Sequence, residues 1–322
     1  MQLDVQHSDD LTRVQAPSPT YEGSWEQGGR SPSSAAVLGL LGVGVLYFNT
    51  QTILALIAIG IAHVLNPEVQ LTGNYFERLA SISRLYADPI RIALVISQYL
   101  FMLLPAWWLV KRWHTKRVRE YVRLQTAPVL EILLAVLATI AFIPTGTYIA
   151  NALTNKLKIP DFLIKINSEL FTAYSVGEFI WLAFVIAVTP AICEEIFFRG
   201  FVQRNFERTL HGKSVLLIGV IFGLFHMQPL GLITISLLGI LFGYFYFRSK
   251  SLLPSMAAHF ANNFIAIFIL YKSPRFDEIA LASTEQIPIS WVLVTAPLAI
   301  VIIFFYHVAT REKILPPILR VS

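Results

Sequence analysis

Eight stretches of this 322-residue chain are too apolar to serve as surface helices and too numerous to share one soluble core. They run over about 35–65, 92–110, 128–150, 177–198, 214–229, 230–247, 252–271 and 290–309. A helix needs roughly 20 mostly apolar residues to cross a bilayer. Backbone polar groups cannot stay unpaired in lipid, so continuous apolar runs of this kind are expected to be helical. Composition agrees: 14% of residues are charged, 55% are hydrophobic and the mean hydropathy is +0.62, whereas a soluble domain is about a quarter charged. The expected fold is all-α, a polytopic transmembrane helix bundle of about eight spans. Asn49, Thr50, Gln51 and Thr52 interrupt the first run, but its halves are too short to span separately and count as one. Only Gln228-Pro229 separates the fifth run from the sixth, and both are short.

Four regions follow from this pattern. Residues 1–34 hold Ser, Pro, Gly, Gln and acids without an apolar stretch and read as a disordered cytoplasmic tail. Residues 35–176 are N-terminal transmembrane helices, 177–271 form a transmembrane core, and 272–322 hold a last helix and a cytoplasmic tail. No signal peptide precedes the first run, so that helix is expected to act as its own insertion signal. The net charge of +5 fits the Lys/Arg excess of cytoplasmic loops rather than a nucleic-acid partner. With eight spans and the N-terminus inside, the 25 Lys and Arg divide seventeen inside to eight outside. This predicts an integral multi-pass protein of a cell membrane, plasma or inner, with both termini cytoplasmic and lipids as partners. The run Lys111–Arg123 dominates the count, with Trp107, Trp108 and Trp113 in the interfacial belt. The single cysteine, Cys193, permits no internal disulfide.

Ionisable groups inside spans cost several kcal/mol each and are functional candidates by default. Here they gather in three spans, as Cys193-Glu194-Glu195 with Arg199, as Phe222 with His226, and as His259 with Asn263. Glu195 and Arg199 are four apart in the favourable order for an ion pair. Glu194 points about 100° away from Glu195 and is free to face a cavity. Pro190, four residues before Glu194, removes one backbone hydrogen bond and leaves room for a kink beside that carboxylate. His259 and Asn263 share a helix face, and Phe222 lies one turn before His226. At about 1.5 Å per residue, Glu194, His226, His259 and Asn263 lie at about 12–18 Å from the cytoplasmic ends, in a site expected to open toward the cytoplasm. A membrane histidine is often only a helix–helix hydrogen bond, and a Glu-Glu-Arg near a helix end is often a snorkelling cluster. Four such groups at one depth favour catalysis or transport over structure alone.

The set Glu194-Glu195-x-x-x-Arg199, Phe222-x-x-x-His226 and His259-x-x-x-Asn263 resembles the motifs of the CAAX-processing and bacteriocin-processing (CPBP) intramembrane proteases, also called type II CAAX prenyl endopeptidases or Abi proteins. The resemblance covers roughly 177–270, so 177–271 becomes the catalytic core. It implies an intramembrane endopeptidase of the glutamic type, a family formerly labelled metallo-. Its substrates would be membrane-associated peptides or proteins, lipidated in CAAX-type processing or matured in bacteria. It also implies that Glu194 and His226 activate water and that His259 and Asn263 donate to the oxyanion. Glu195, Arg199 and Phe222 would support the site.

Other readings of the same residues remain. No cofactor is expected to be required, yet zinc is possible, with Glu194, His226 and His259 as alternative ligands. His-Glu-x-x-His is absent. A proton-coupled transporter would use buried Glu and His as relays, but no paired halves are visible. A non-catalytic membrane scaffold that binds peptides is the third reading. A cysteine protease on Cys193 is the weakest, because a small apolar filler at a helix contact explains that residue.

Overall fold

A computed structural model describes residues 20–65, 78, 82, 85–157, 170–229, 231–272 and 287–313. Among the described residues every regular element is helical. A one-turn helix, α1 (Ser24–Gln27), precedes α2 (Pro32–Leu65) and α3 (Ala87–His114). The short α4 (Val118–Tyr121) is followed by α5 (Val129–Leu157) and α6 (Val176–Leu210). Next come α7 (Lys213–Phe225), α8 (Leu232–Ser249), α9 (Leu253–Lys272) and α10 (Ile289–Ala309). Seven of these are long and apolar enough to cross a membrane, and α7, with 13 residues, is shorter. The eight expected runs thus correspond to α2, α3 and α5 to α10. Leu56, Val64, Val294 and Ile300 are 64, 77, 68 and 68% exposed, an apolar outer face that only lipid would cover favourably. The chain is an integral, multi-pass membrane protein.

Two boundaries differ from the sequence reading. Helix α6 continues to Leu210 rather than stopping near 198, because the charges that suggested an end are paired within the bundle. Glu207 accepts two hydrogen bonds from Arg123, at 2.7 and 2.8 Å, and one from Lys250 at 2.9 Å. Helix α7 stops at Phe225 rather than running to 229. His226 caps it, and Met227 takes a left-handed φ of 50°, which a side-chain-bearing residue adopts only at a cost. At about 1.5 Å per residue α7 is about 20 Å long, so its last residue lies at depth rather than at the far surface. It is held there by close contact with α8. A Cβ on Gly219 would fall 2.2 Å from the Ile240 side chain, and one on Gly223 would fall 2.0 Å from Ser236 Oγ. The spacing Gly219-x-x-x-Gly223 is the small-residue pattern that lets two membrane helices touch.

The segment read as a disordered tail is partly ordered. Residues 1–19 lie outside the described residues, but from 20 onward the chain docks on the ends of α3 and α6. Trp25 is buried and its ring lies 4.9 Å from that of Trp113. Glu26 accepts from Arg208 at 2.6 and 2.9 Å and pairs with His114 at 2.5 Å. Averaged polar composition hid one tryptophan and one glutamate that find partners only in three dimensions. Burial works to raise the Glu26 carboxyl, but the hydrogen bonds from Arg208 and His114 hold it below the usual carboxylate range. A depressed folded-state value gives stability that is present above the unfolded value and lost as pH falls through the folded one. Glu26→Gln should therefore lower thermal stability in detergent at neutral pH by about 1–3 kcal/mol. The gap to wild type should close below the carboxylate range, and a gap independent of pH would contradict this account.

The contacts of Arg123, Glu207, Lys250, Glu26 and Arg208 bring the α3–α5 connection, the ends of α6 and α8 and the N-terminal segment to one end of the bundle. Lys313 bonds Glu131 at 2.9 Å and joins the same cluster. One end therefore carries the cations whose excess suggested the cytoplasmic side. Of the cations counted, Arg13 and Arg320 from the inner set and Arg84, Lys158, Lys165 and Arg275 from the outer set lie outside the described residues. Cysteines placed at Lys116 and Lys156 should be labelled from opposite faces of sealed membranes, since α5 separates them. Labelling from the same face would overturn an odd number of crossings between them.

Candidate active site

Helix α6 brings the acidic pair to the centre of the bundle. It contains two stretches of wide, π-type turn, Phe184–Val188 and Glu195–Gln203, on either side of Pro190 and Glu194. Proline removes one backbone donor, and π-type turns occur disproportionately at functional sites. The neighbouring glutamates then part. Glu195 is fully buried and bonds Arg199 Nη1 at 2.8 Å, with Arg199 itself fully buried. Ser255 Oγ donates to the second Glu195 oxygen, and His259 Nδ1 lies 2.8 Å from the first. Arg199 stands 4.3 Å above the Phe222 ring and also donates to the Gly239 carbonyl at 3.1 Å. Glu195, Arg199 and Phe222 therefore form one connected cluster.

Glu194 faces the other way, into a cavity of about 560 Å³. One of its oxygens accepts from Gln98 Nε2 at 3.2 Å, and the other, Oε2, is buried without a partner. His226 Nε2 lies 3.8 Å from Oε2, too far for a direct hydrogen bond and the kind of gap that a water fills. The His226 tautomer follows from its surroundings. Its Nδ1 meets the Phe222 carbonyl at 2.8 Å, and a carbonyl can only accept, so Nδ1 carries the proton and the neutral ring presents a lone pair at Nε2. The end of α7 makes this contact possible, since His226 is the capping residue that folds back on its own last turn.

His259 and Asn263 line the same cavity from α9. His259 lies against the Phe242 ring at 5.1 Å, and its Nδ1–H is committed to Glu195, which leaves Nε2 free. Asn263 donates to the Ile186 carbonyl at 2.8 Å and accepts from Asn262 at 3.0 Å. Those two bonds fix its amide orientation and leave one Nδ2 hydrogen unassigned. All four expected catalytic residues therefore reach one cavity. Gln98, Asn262 and Ser255 also serve this site and were not singled out from the sequence. Ser255 and Asn262 had a legible signal, their position on the His259 helix. Gln98 had none, because α3 is distant in sequence and otherwise apolar around it. Cys193 is buried in the apolar cluster with Phe197 and Phe198, as expected of a filler.

The cavity does not extend toward the cation-rich end, as the sequence reading had it. Its lining reaches Leu94, Phe171 and Leu270. Leu94 lies about 30 Å up α3 from His114, and Leu270 about 25 Å up α9 from Leu253, so the lining runs to the opposite end. Charge counting orders the loops but says nothing about which end of the bundle is loosely packed. Gln51 and Thr52, the polar break in the first run, lie on its wall, whereas Asn49 and Thr50 bond back to their own helix.

A zinc centre would use the two free Nε2 atoms together with a carboxylate. Among the described residues no three His, Cys, Asp or Glu side chains converge to hold a metal ion. The groups form two pairs instead, Glu194 with His226 and Glu195 with His259. This donor set does not fit a three-ligand zinc site, and no step below runs through one.

Residues 176–265 match the family model described as type II CAAX prenyl endopeptidase Rce1-like. This segment, 90 of the chain's 322 residues, is similar to that CAAX protease-like family. The matched segment contains Glu194, Glu195, Arg199, Phe222, His226, His259 and Asn263 but not Gln98. No curated protein and no solved structure matches the chain. The matched segment carries the fully buried Glu195–Arg199 pair, at a place where an apolar pair would be cheaper. Arg199→Ala should lower both abundance and thermal stability in detergent, by about 3–5 kcal/mol, because Glu195 would be left charged and buried. Wild-type stability would mean that Ser255 and His259 alone satisfy Glu195.

Proposed function

We propose that this protein is an intramembrane endopeptidase whose water nucleophile is activated by Glu194 and His226. The observation that carries the reading is the unpartnered Glu194 Oε2, buried in the cavity and facing the lone pair of His226 Nε2 at 3.8 Å. A water seated against both acceptors donates one hydrogen to each, which turns its own lone pair outward to the scissile carbonyl. Attack forms the C–O bond, and Glu194 takes the proton released. The carbonyl oxygen becomes an oxyanion, met by the free N–H of Asn263 and by His259 Nε2. His259 donates from Nε2 only as imidazolium, because its Nδ1–H already serves Glu195. The C–N bond then breaks, and Glu194 returns its proton to the leaving amine. The products are a carboxylic acid, which keeps the water's second hydrogen, and an amine, and no redox partner is needed.

The family supports a substrate that carries a prenylated C-terminal CAAX-type motif, presented from the membrane. The cavity supports it as well, since its wall combines aromatic groups such as Tyr47, Phe48 and Phe225 with a few uncharged amides. We further propose that the cation-rich end is cytoplasmic and that no metal is required.

A quenched fluorogenic peptide bearing a farnesylated CAAX motif should be cleaved by the detergent-purified protein. Glu194→Gln and His226→Ala should abolish cleavage, whereas Cys193→Ser should leave it near wild type. Asn263→Ala should lower kcat by roughly 10²–10³, the effect of losing one oxyanion donor. Chelator should leave the rate unchanged. Loss of activity in chelator with restoration by stoichiometric zinc would replace this mechanism, and cleavage by Glu194→Gln would remove its base.

A further inference from the structure

We infer that Gln98, from α3, is a positioning residue that holds the Glu194 carboxylate in its reactive orientation. The inference rests on Glu194 being the base. Gln98 is 2% exposed, sits in a further stretch of wide, π-type turn, Ser97–Leu103, and lines the same cavity as Ile186 of the Phe184–Val188 stretch. Its Nε2 donates to Glu194 Oε1 at 3.2 Å. A carboxylate only accepts, so the amide nitrogen must face it and the Gln98 orientation is not in doubt chemically. This bond occupies the Glu194 oxygen that does not face His226, which leaves Oε2 for water. Without it the carboxylate would be free to rotate about its last torsion, a terminal sp³–sp² bond that has no sharp preference of its own. The remaining carbonyl of Gln98, Oε1, is buried and unpartnered.

The base is thus supported from outside the family-matched segment, by a helix that supplies no motif residue. The other titratable groups around Glu194 include His226 on α7, Tyr47 on α2, His259 on α9, and Cys193, Glu195 and Arg199 on its own helix. All of them are retained when Gln98 alone is changed.

The test is Gln98→Met, which keeps an unbranched side chain of similar length and removes the donor. The titration of Glu194 is followed by pH-difference infrared spectroscopy, its carboxyl band assigned by disappearance in Glu194→Gln. This readout needs no substrate. Loss of a donor to the charged form should move the midpoint upward by about 1 pH unit. With the farnesylated peptide, kcat should fall by about 10- to 100-fold while KM changes less than about twofold, and the acidic limb of kcat should move upward with the infrared midpoint. If Gln98→Met does not accumulate, Gln98→Glu serves instead, because a second carboxylate beside Glu194 must also move that limb upward. An unchanged midpoint and kcat, with Glu194→Gln inactive, would overturn the Gln98 assignment alone. A fall in stability with kcat per folded molecule unchanged would do the same. Retained cleavage by Glu194→Gln would instead remove the mechanism on which the assignment rests.

Discussion

Two opposite charges with no exposure at all, Glu195 and Arg199, lie where the helices of the core meet. Charges in such a place are costly, and further hydrogen bonds from the pair to its surroundings help their mutual attraction offset that cost. Those uses tie the bundle together. Arg199 reaches the Gly239 carbonyl of α8 and lies over the Phe222 ring of α7. Glu195 reaches Ser255 and His259 of α9. One ion pair on α6 therefore sets the relative positions of α7, α8 and α9, and with them His226, His259 and Asn263. A core of interchangeable Leu and Phe would be cheaper, but apolar contacts are non-directional and would not fix three helices at one register.

Adjacent residues divide two incompatible tasks. Glu195 is saturated with partners and cannot react. Glu194, rotated by about 100°, keeps one oxygen unpartnered at the cavity. Departures from regular geometry cluster here: the wide turns of α3 and α6, Pro190, and the positive φ of Met227 immediately after His226. Strain at one place is tolerated because the surrounding packing over-determines it. Gly219 and Gly223 hold α7 against α8, and Arg199 pins α7 through Phe222, so the chain has little freedom to relax the turn at 226–227.

The cation-rich end is likewise organised by ion pairs between elements. Glu207 engages Arg123 and Lys250, Glu26 engages Arg208 and His114, and Glu131 engages Lys313. Helix ends are thereby latched across the α3–α5 connection, the N-terminal segment and the chain after α10. The cavity reaches toward the other end, where the lining residues Leu94, Phe171 and Leu270 lie. Rigidity thus sits at one end of the bundle and access at the other.

Much of this was written in the sequence. Apolar run length determines the number of helices, because lipid enforces internal hydrogen bonding. The four-residue spacings determine that Glu195 faces Arg199 and that His259 and Asn263 share a face, because the helical repeat does. Those regularities are local, so they survive whatever the helices later pack against. Tertiary structure alone decided the rest. It assigned the Nδ1 proton of His259 to Glu195, ended α7 at Phe225, docked Trp25 and Glu26 at the ends of α3 and α6, and directed the cavity away from the cations. It also delivered Gln98 to Glu194, 96 positions along the chain. A single amide in an apolar helix has no periodicity to betray it. Its meaning arises only when another helix brings it a carboxylate that cannot be left in an apolar interior without a donor.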